Sequence, residues 1–122
     1  MPITFNHDGD LLRVRARGAI TVDELRTIVT EMEQRFLSAK KWPNNLLDLT
    51  GIDLSGIGFI DMMSLAKGRE SVKPPHPIRT AIVSDSRTVT GFARMFQSMN
   101  SNPDITVQVF ESVADAEAWL AN

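Results

Sequence analysis

Apolar and polar residues alternate over Ile3-Thr4-Phe5-Asn6-His7 and again over Leu12-Arg13-Val14-Arg15-Ala16-Arg17, the period of half-buried strands. Between them, Asp8-Gly9 is a preferred two-residue hairpin turn. Closing the chain there pairs His7 with Asp10, Phe5 with Leu12 and Ile3 with Val14. The apolar side chains then share one face, and Thr4 opposes Arg13 on the other. A slip of one residue would send every apolar side chain to the wrong face.

The period then changes. Thr21-Val22-Asp23-Glu24 is a capping box, a hydroxyl followed three residues on by a glutamate. Val22, Leu25, Ile28, Val29, Met32 and Phe36 follow at helical spacing, so a helix is predicted to about Ser38, stopping before Trp42-Pro43. Leu46–Leu49 reads as a buried strand, and the glycine-punctuated stretch Ile52–Gly58 as a loop into a second helix, about Phe59 to Val72. Pro74, Pro75 and Pro77 forbid helix and lead to a strand over Arg79–Ser84. A third helix is predicted over Thr88–Met99, with Val89, Phe92, Phe96 and Met99 on one face. Ile105–Phe110 alternates strictly, as a strand with one exposed face or at an edge does. Ser112-Val113-Ala114-Asp115 caps a last helix carrying Val113, Ala116 and Leu120.

Strands separated by helices pair in parallel through right-handed crossovers, whereas a tight hairpin forces its two strands antiparallel. The expected architecture is α/β with the order ββαβαβαβα: a mixed five-stranded sheet, the first strand antiparallel at one edge, and four helices. One domain spans residues 1–122, and there is no repeat, low-complexity tract or linker.

Composition narrows the role. Thirteen Lys and Arg stand against fifteen Asp and Glu, a net charge of −2, where a dedicated nucleic-acid binder shows a basic excess. The absence of cysteine excludes disulfides, thiolate metal sites, iron–sulfur clusters and a cysteine nucleophile. The first seventeen residues lack the apolar core of an export signal, and no stretch reaches the roughly 18 apolar residues of a membrane span. A cytoplasmic protein without membrane insertion is expected.

The element order, together with Asp53-Leu54-Ser55-Gly56-Ile57-Gly58-Phe59-Ile60-Asp61-Met62-Met63-Ser64-Leu65, resembles the STAS domain of the bacterial anti-sigma-factor antagonists. It is more similar to the wider SpoIIAA-like family, whose fold is shared with the CRAL-TRIO lipid-binding domains. Leu47-Asp48-Leu49-Thr50-Gly51, Arg79–Ser84, Val107–Phe110 and Ala116–Leu120 fit the same pattern. Of two runs that match the family's third strand end, Asp48-Leu49-Thr50-Gly51 follows the better strand. The antagonists carry a phosphorylatable serine in an Asp-Ser-Ser-Gly-Leu run at the start of the second helix. Here that run is Asp61-Met62-Met63-Ser64-Leu65, so Met63 holds the acceptor position and a thioether cannot take phosphate. The resemblance thus implies a SpoIIAA-like domain without the serine phosphoswitch; Ser64 or Ser55 is the alternative phosphate acceptor, against the plainer reading of serines near helix starts as caps.

In open parallel sheets ligands gather at the carboxyl ends of strands, near helix N-termini. Asp48, Thr50, Ser55, Ser84, Asp85, Ser86 and Arg87 fall on that rim, where they could hold a polar ligand or a partner. The plainer reading makes Asp85, Ser86 and Thr88 caps of the third helix. Arg13, Arg15 and Arg17 share a strand face, either to hold an anion or to meet acidic neighbours. Phe59, Met62 and Met63, with Ile60, Met95, Met99, Phe92 and Phe96, make the two central helices soft and large-chained. Phe59, Met62, Met63 and Ala66 fit one buried stripe, leaving Ile60 or part of the methionine pair facing out. That surplus points to a homodimer or partner contact at the second helix.

His7 and His76 are the only histidines, and neither has a nucleophile at a diagnostic spacing. No phosphate loop, serine elbow or zinc helix motif is present. Asp8, Asp10, Asp48, Asp53 and Asp61 could assemble a cation site, although aspartates at turns are commonly caps. The expectation is a non-enzymatic binding module with no cofactor and no metal, recognising a protein partner or its own copy. The alternative is a carrier of a small apolar or lipid-like ligand between helices.

Overall fold

The computed structural model describes residues 3–39, 41–68 and 73–122. β1 (Ile3–Asp8) and β2 (Leu11–Ala16) form the antiparallel hairpin, but the two-residue loop is Gly9-Asp10, one step later than expected. Gly9 takes φ +60°, the backbone that a Gly-first hairpin turn requires. The register becomes Ile3 opposite Ala16, Phe5 opposite Val14 and His7 opposite Leu12. This two-residue correction leaves every side chain on its expected face, and it brings the fully buried Ala16 into the ladder.

α1 (Val22–Ser38) starts at the capping box: Glu24 N–H donates to Thr21 Oγ1, and Thr21 N–H donates to Glu24 Oε1, both at 3.1 Å. Its inner stripe buries Ile28, Met32 and Phe36. Phe36 stacks on Trp42 with ring centroids 5.2 Å apart, which anchors the turn into the next strand. Truncating a fully buried aromatic such as Phe36 to alanine costs about 3–5 kcal/mol.

β4 (Asn44–Asp48) begins two residues before the apolar run, because parallel pairing with β2 takes in Asn44 and Asn45. Two short parallel bridges, β3 (Gly18–Ala19) and β5 (Ile52–Asp53), tie the loops together beside the main sheet. The stretch Ile52–Gly58 was expected to be loop alone. It instead supplies Ile52, Leu54 and Ile57 to the core. α2 (Phe59–Gly68) follows; the remainder of the helix expected to Val72 lies outside the described residues. β6 (Ile78–Val83), α3 (Arg87–Met99), β7 (Ile105–Phe110) and α4 (Val113–Ala121) complete the chain. Ser86 and Ser112 cap α3 and α4, accepting from Val89 N–H and Asp115 N–H.

The five-stranded sheet has the order β1-β2-β4-β6-β7, with β2, β4, β6 and β7 parallel and β1 antiparallel at the edge. Each crossover moves one strand further in the same direction. Right-handed connections then put α1, α2 and α3 on one face. Leu12, Val14 and Ala16 of β2 pack there with Met32, Met62 and Val89, while Ile78, Ile82, Ile105 and Val107 pack with Ala93. α4 covers the other face, over Leu46, Ala81 and Val83.

Candidate functional site

The strand order never reverses among the parallel strands, so the sheet lacks the switch-point crevice where open α/β sheets bind ligands. The rim residues do converge, and they bond mainly to one another. Asp48 ends β4 with its side chain largely covered. Its Oδ1 accepts from the Thr50 hydroxyl at 2.7 Å and the Thr50 amide at 3.1 Å. Its Oδ2 faces Arg17 at 3.2 Å and Arg15 at 3.8 Å. Burial alone would raise the Asp48 pKa. The two Thr50 donors and the Arg17 guanidinium outweigh it and hold the carboxyl below its ordinary value.

Arg17 also donates to the carbonyls of Ala16 and Asp48, and its chain packs under Gly51. Gly51 has φ +78°, and a Cβ there would lie 3.1 Å from Arg17 Cδ. Its amide donates to Asp85 Oδ1 at 3.2 Å. Ser84 is buried. Its hydroxyl donates to Ser86 O and accepts from the Ser86 amide and the Thr90 hydroxyl. Arg87 is exposed in the first turn of α3. The rim therefore brings together Asp48, Thr50 and Asp85 around Gly51, and Ser84 with Ser86 beside them, as a structural knot. Ser86, not Thr88, is the helix cap. Of the three arginines, Arg13 turns to Glu117 of α4 at 3.0 Å, so each of them meets an acid.

Ser55 lies apart, in an exposed turn. Its amide donates to Asp53 Oδ1 at 2.9 Å, and the Ser55 amide and hydroxyl lower the Asp53 pKa against a smaller effect of burial. Asp48, Asp53 and Asp61 thus each accept from a backbone amide of their own loop, that of Thr50, Ser55 and Gly58. Among the described residues no three acidic or histidine side chains gather as a metal site. None of the described helices is long and apolar enough to cross a membrane.

α2 corrects the expected stripe. Met62 is buried, Met63 half-buried, and Leu65 packs against the core. Phe59, expected inside, is 57% exposed, and Ile60 is 79% exposed. Ile57 and Leu54 of the preceding loop are buried in the same core cluster as Met62, so the loop as well as α2 supplies apolar side chains there.

Under α1, α2 and α3 lies a cavity of about 100 Å³. Its walls include Met32, Leu65, Phe92, Leu47 and Ile82, and its one polar lining residue is Thr80. Thr80 neighbours Asn45 in the β4–β6 register, and Asn45 Nδ2 donates to Thr80 Oγ1 at 3.2 Å. Asn45 is fully buried, and its Oδ1 has no partner among the described residues. Sequence reasoning missed this pair, because Asn44-Asn45 before an apolar run reads as a strand's approach. The one signal was an asparagine abutting a strand that must be buried on both faces.

The SpoIIAA-like family model matches residues 11–121. Among solved structures, the chain is similar to an uncharacterized protein of the DUF3478 family from Shewanella loihica PV-4, which has a SpoIIAA-like fold. The two are 23% identical, the match covers 97% of this chain and 91% of that one, and the TM-score is 0.61. No curated protein matches the sequence. With the one-directional sheet and edge hairpin already described, a match over nearly the whole length has one meaning: the chain belongs to the SpoIIAA-like family.

Proposed function

We propose that this domain is a non-catalytic binding module that recognises a protein partner, in the simplest case a second copy of itself, through the first turn of α2. The observation that carries this reading is the exposed pair Phe59 and Ile60. Two adjacent large apolar side chains in water are unfavourable by about 25 cal/mol per Å² of apolar surface, and a two-fold contact hides the same patch on both copies. The non-catalytic part is supported by the rim, whose carboxylates and hydroxyls are committed to local amides, hydroxyls and guanidinium groups. Met63 stands where the anti-sigma antagonists carry their phosphoserine, so the contact is constitutive and not phosphate-switched. A lipid-carrier role fits poorly. A cavity of ~150 Å³ holds benzene, and the space under α1–α3 is smaller.

Sedimentation equilibrium of the wild type and of Ile60→Asp tests the self-association form. The wild type is expected to sediment as a dimer at micromolar concentration, and the variant as a folded monomer. A wild-type monomer whose mass and shape are unchanged by the substitution overturns it.

A further inference from the structure

We propose that the open edge of β1 docks an extended, antiparallel segment of a protein partner, one that alternates apolar and polar residues and sets an acidic side chain beside Thr4. The two edges of the sheet are unequal. In β7, the bonds from Ile78 N–H to Asp104 O and from Ser84 N–H to Phe110 O turn the even-numbered residues toward β6. Ile105, Val107 and Val109 therefore present their backbone groups outward. There α3 and the loop after it cover the edge. Asn100 Nδ2 donates to Ile105 O at 2.6 Å, Gln97 Nε2 to Val107 O at 2.9 Å, and Ile105 N–H to Asn102 O at 3.3 Å. An incoming strand would have to displace them. β1 has no such cover. Asp8 and Leu11 close the two-residue loop as a hydrogen-bonded pair, so Asn6 and Thr4 also bond to β2, while Ile3, Phe5 and His7 turn their backbone groups outward. No described residue bonds to those outward groups. Water serves them in the free domain, and an added strand replaces that water with a ladder, as in other domains that bind extended peptides at a sheet edge.

The side chains along the edge select the segment. On the α1 side, Ile3 and Phe5 are half-buried at the border of the core. The Arg35 guanidinium lies 4.9 Å over the Phe5 ring and is itself paired with Glu31. Apolar residues on an added strand would extend that border through cross-strand pairs. On the opposite side, Thr4 and Asn6 are exposed and stand across the hairpin from Arg15 and Arg13. Arg13 is held by Glu117 at 3.0 Å, and Arg17 by Asp48 at 3.2 Å. Arg15 is the arginine left over: its side chain is 64% exposed, and the acid it meets, Asp48, lies 3.8 Å away, beyond hydrogen-bond distance. Thr4 is short, so the Arg15 guanidinium can reach over it to a carboxylate on the next strand, two strand spacings or about 10 Å from β2. A lysine in that position would meet like charge. The strip is separate from the first turn of α2, so either contact can fail without the other.

The probes are the acetylated and amidated peptide Val-Thr-Val-Glu-Val-Thr and its counterpart with Lys in place of Glu. Each is titrated by NMR into the wild-type protein, with amide hydrogen exchange read alongside. The Glu peptide is expected to bind saturably and to slow exchange at Ile3, Phe5 and His7, whose amides point outward, more than at Thr4, Asn6 and Asp8, which already bond to β2. The Lys peptide is expected to bind about fivefold more weakly, and Arg15→Ala to bring the two peptides to equal affinity. His7→Pro removes an outward amide and no bond to β2, and it is expected to abolish binding. If that variant fails to fold, the Glu peptide N-methylated on its valines tests the same ladder from the other side and is expected not to bind. Equal affinity of the two peptides for the wild type overturns the proposal, as do protection at β7 in place of β1, shifts confined to Phe59 and Ile60, or no saturable binding. Protection of the β1 amides that rises with protein concentration in the absence of peptide also overturns it, because the edge then belongs to a second copy of the chain.

Discussion

The rim at the carboxyl end of the strands and the buried Asn45–Thr80 pair are both polar places in the sheet, and they differ in how many partners each side chain has. At the rim, Asp48 alone collects two Thr50 donors and the guanidinium of Arg17, while Asp85 closes on Gly51. In the buried pair, Asn45 and Thr80 share one hydrogen bond, and Asn45 Oδ1 has no partner among the described residues. A chemically rich cluster can therefore be spent entirely on architecture.

The comparison breaks most readily at Asp48. Asp48→Ala strips partners from Arg17 and Thr50 in a largely covered position, and a loss of about 2–3 kcal/mol is expected in urea unfolding. An unchanged midpoint would mean that the rim is not a structural knot. Gly51→Ala tests the same knot through the backbone. A positive φ and a Cβ 3.1 Å from Arg17 Cδ should cost about 1–2 kcal/mol, read as a lower melting temperature. The buried Asn45–Thr80 pair is expected to behave differently. Replacing both members, Asn45→Leu with Thr80→Val, removes the unpaired carbonyl along with its partner. Stability should stay within about 1 kcal/mol of wild type or rise.

The smallest effect is the pH response of the rim. The Asp48 pKa is lowered by folding, so its contribution is present above the ordinary carboxyl value of 3.8 and is lost as pH falls through that value toward the folded one. Wild type should therefore lose stability relative to Asp48→Asn in that acid window, and parallel curves would place the titrating group elsewhere.

How much of this was legible in the sequence follows from what each signal measures. Periodicity reports which face a residue occupies, so the hairpin faces and the α1 stripe were readable, whereas the turn slid by one residue and the register by two without disturbing either face. The Thr21–Glu24 box is a local hydrogen-bond pattern and survived intact. β3 and β5 have two residues each, too few to show a period. The Asp48 and Ser84 positions were readable as strand ends, but their partners Arg17 and Thr90 were set by tertiary contact. Asn45 and Thr80, 35 residues apart, meet only because β4 and β6 pair in one register. Phe59 was placed on the wrong side because helical spacing reads α2 by itself, whereas Leu54 and Ile57 of the preceding loop also enter that core.

The one-directional winding of the sheet also bears on how the chain is made. Each strand is laid beside the one before it, β2 then β4, β6 and β7, and no later strand must wedge between earlier ones. On the ribosome, where the N-terminal part emerges first, the α1–α3 face can assemble in the order of translation. The opposite face cannot. Leu46, Ala81 and Val83 are covered by α4, a helix of nine residues at Val113–Ala121. Until that segment emerges, the nascent sheet presents a bare apolar side to its surroundings and is open to aggregation.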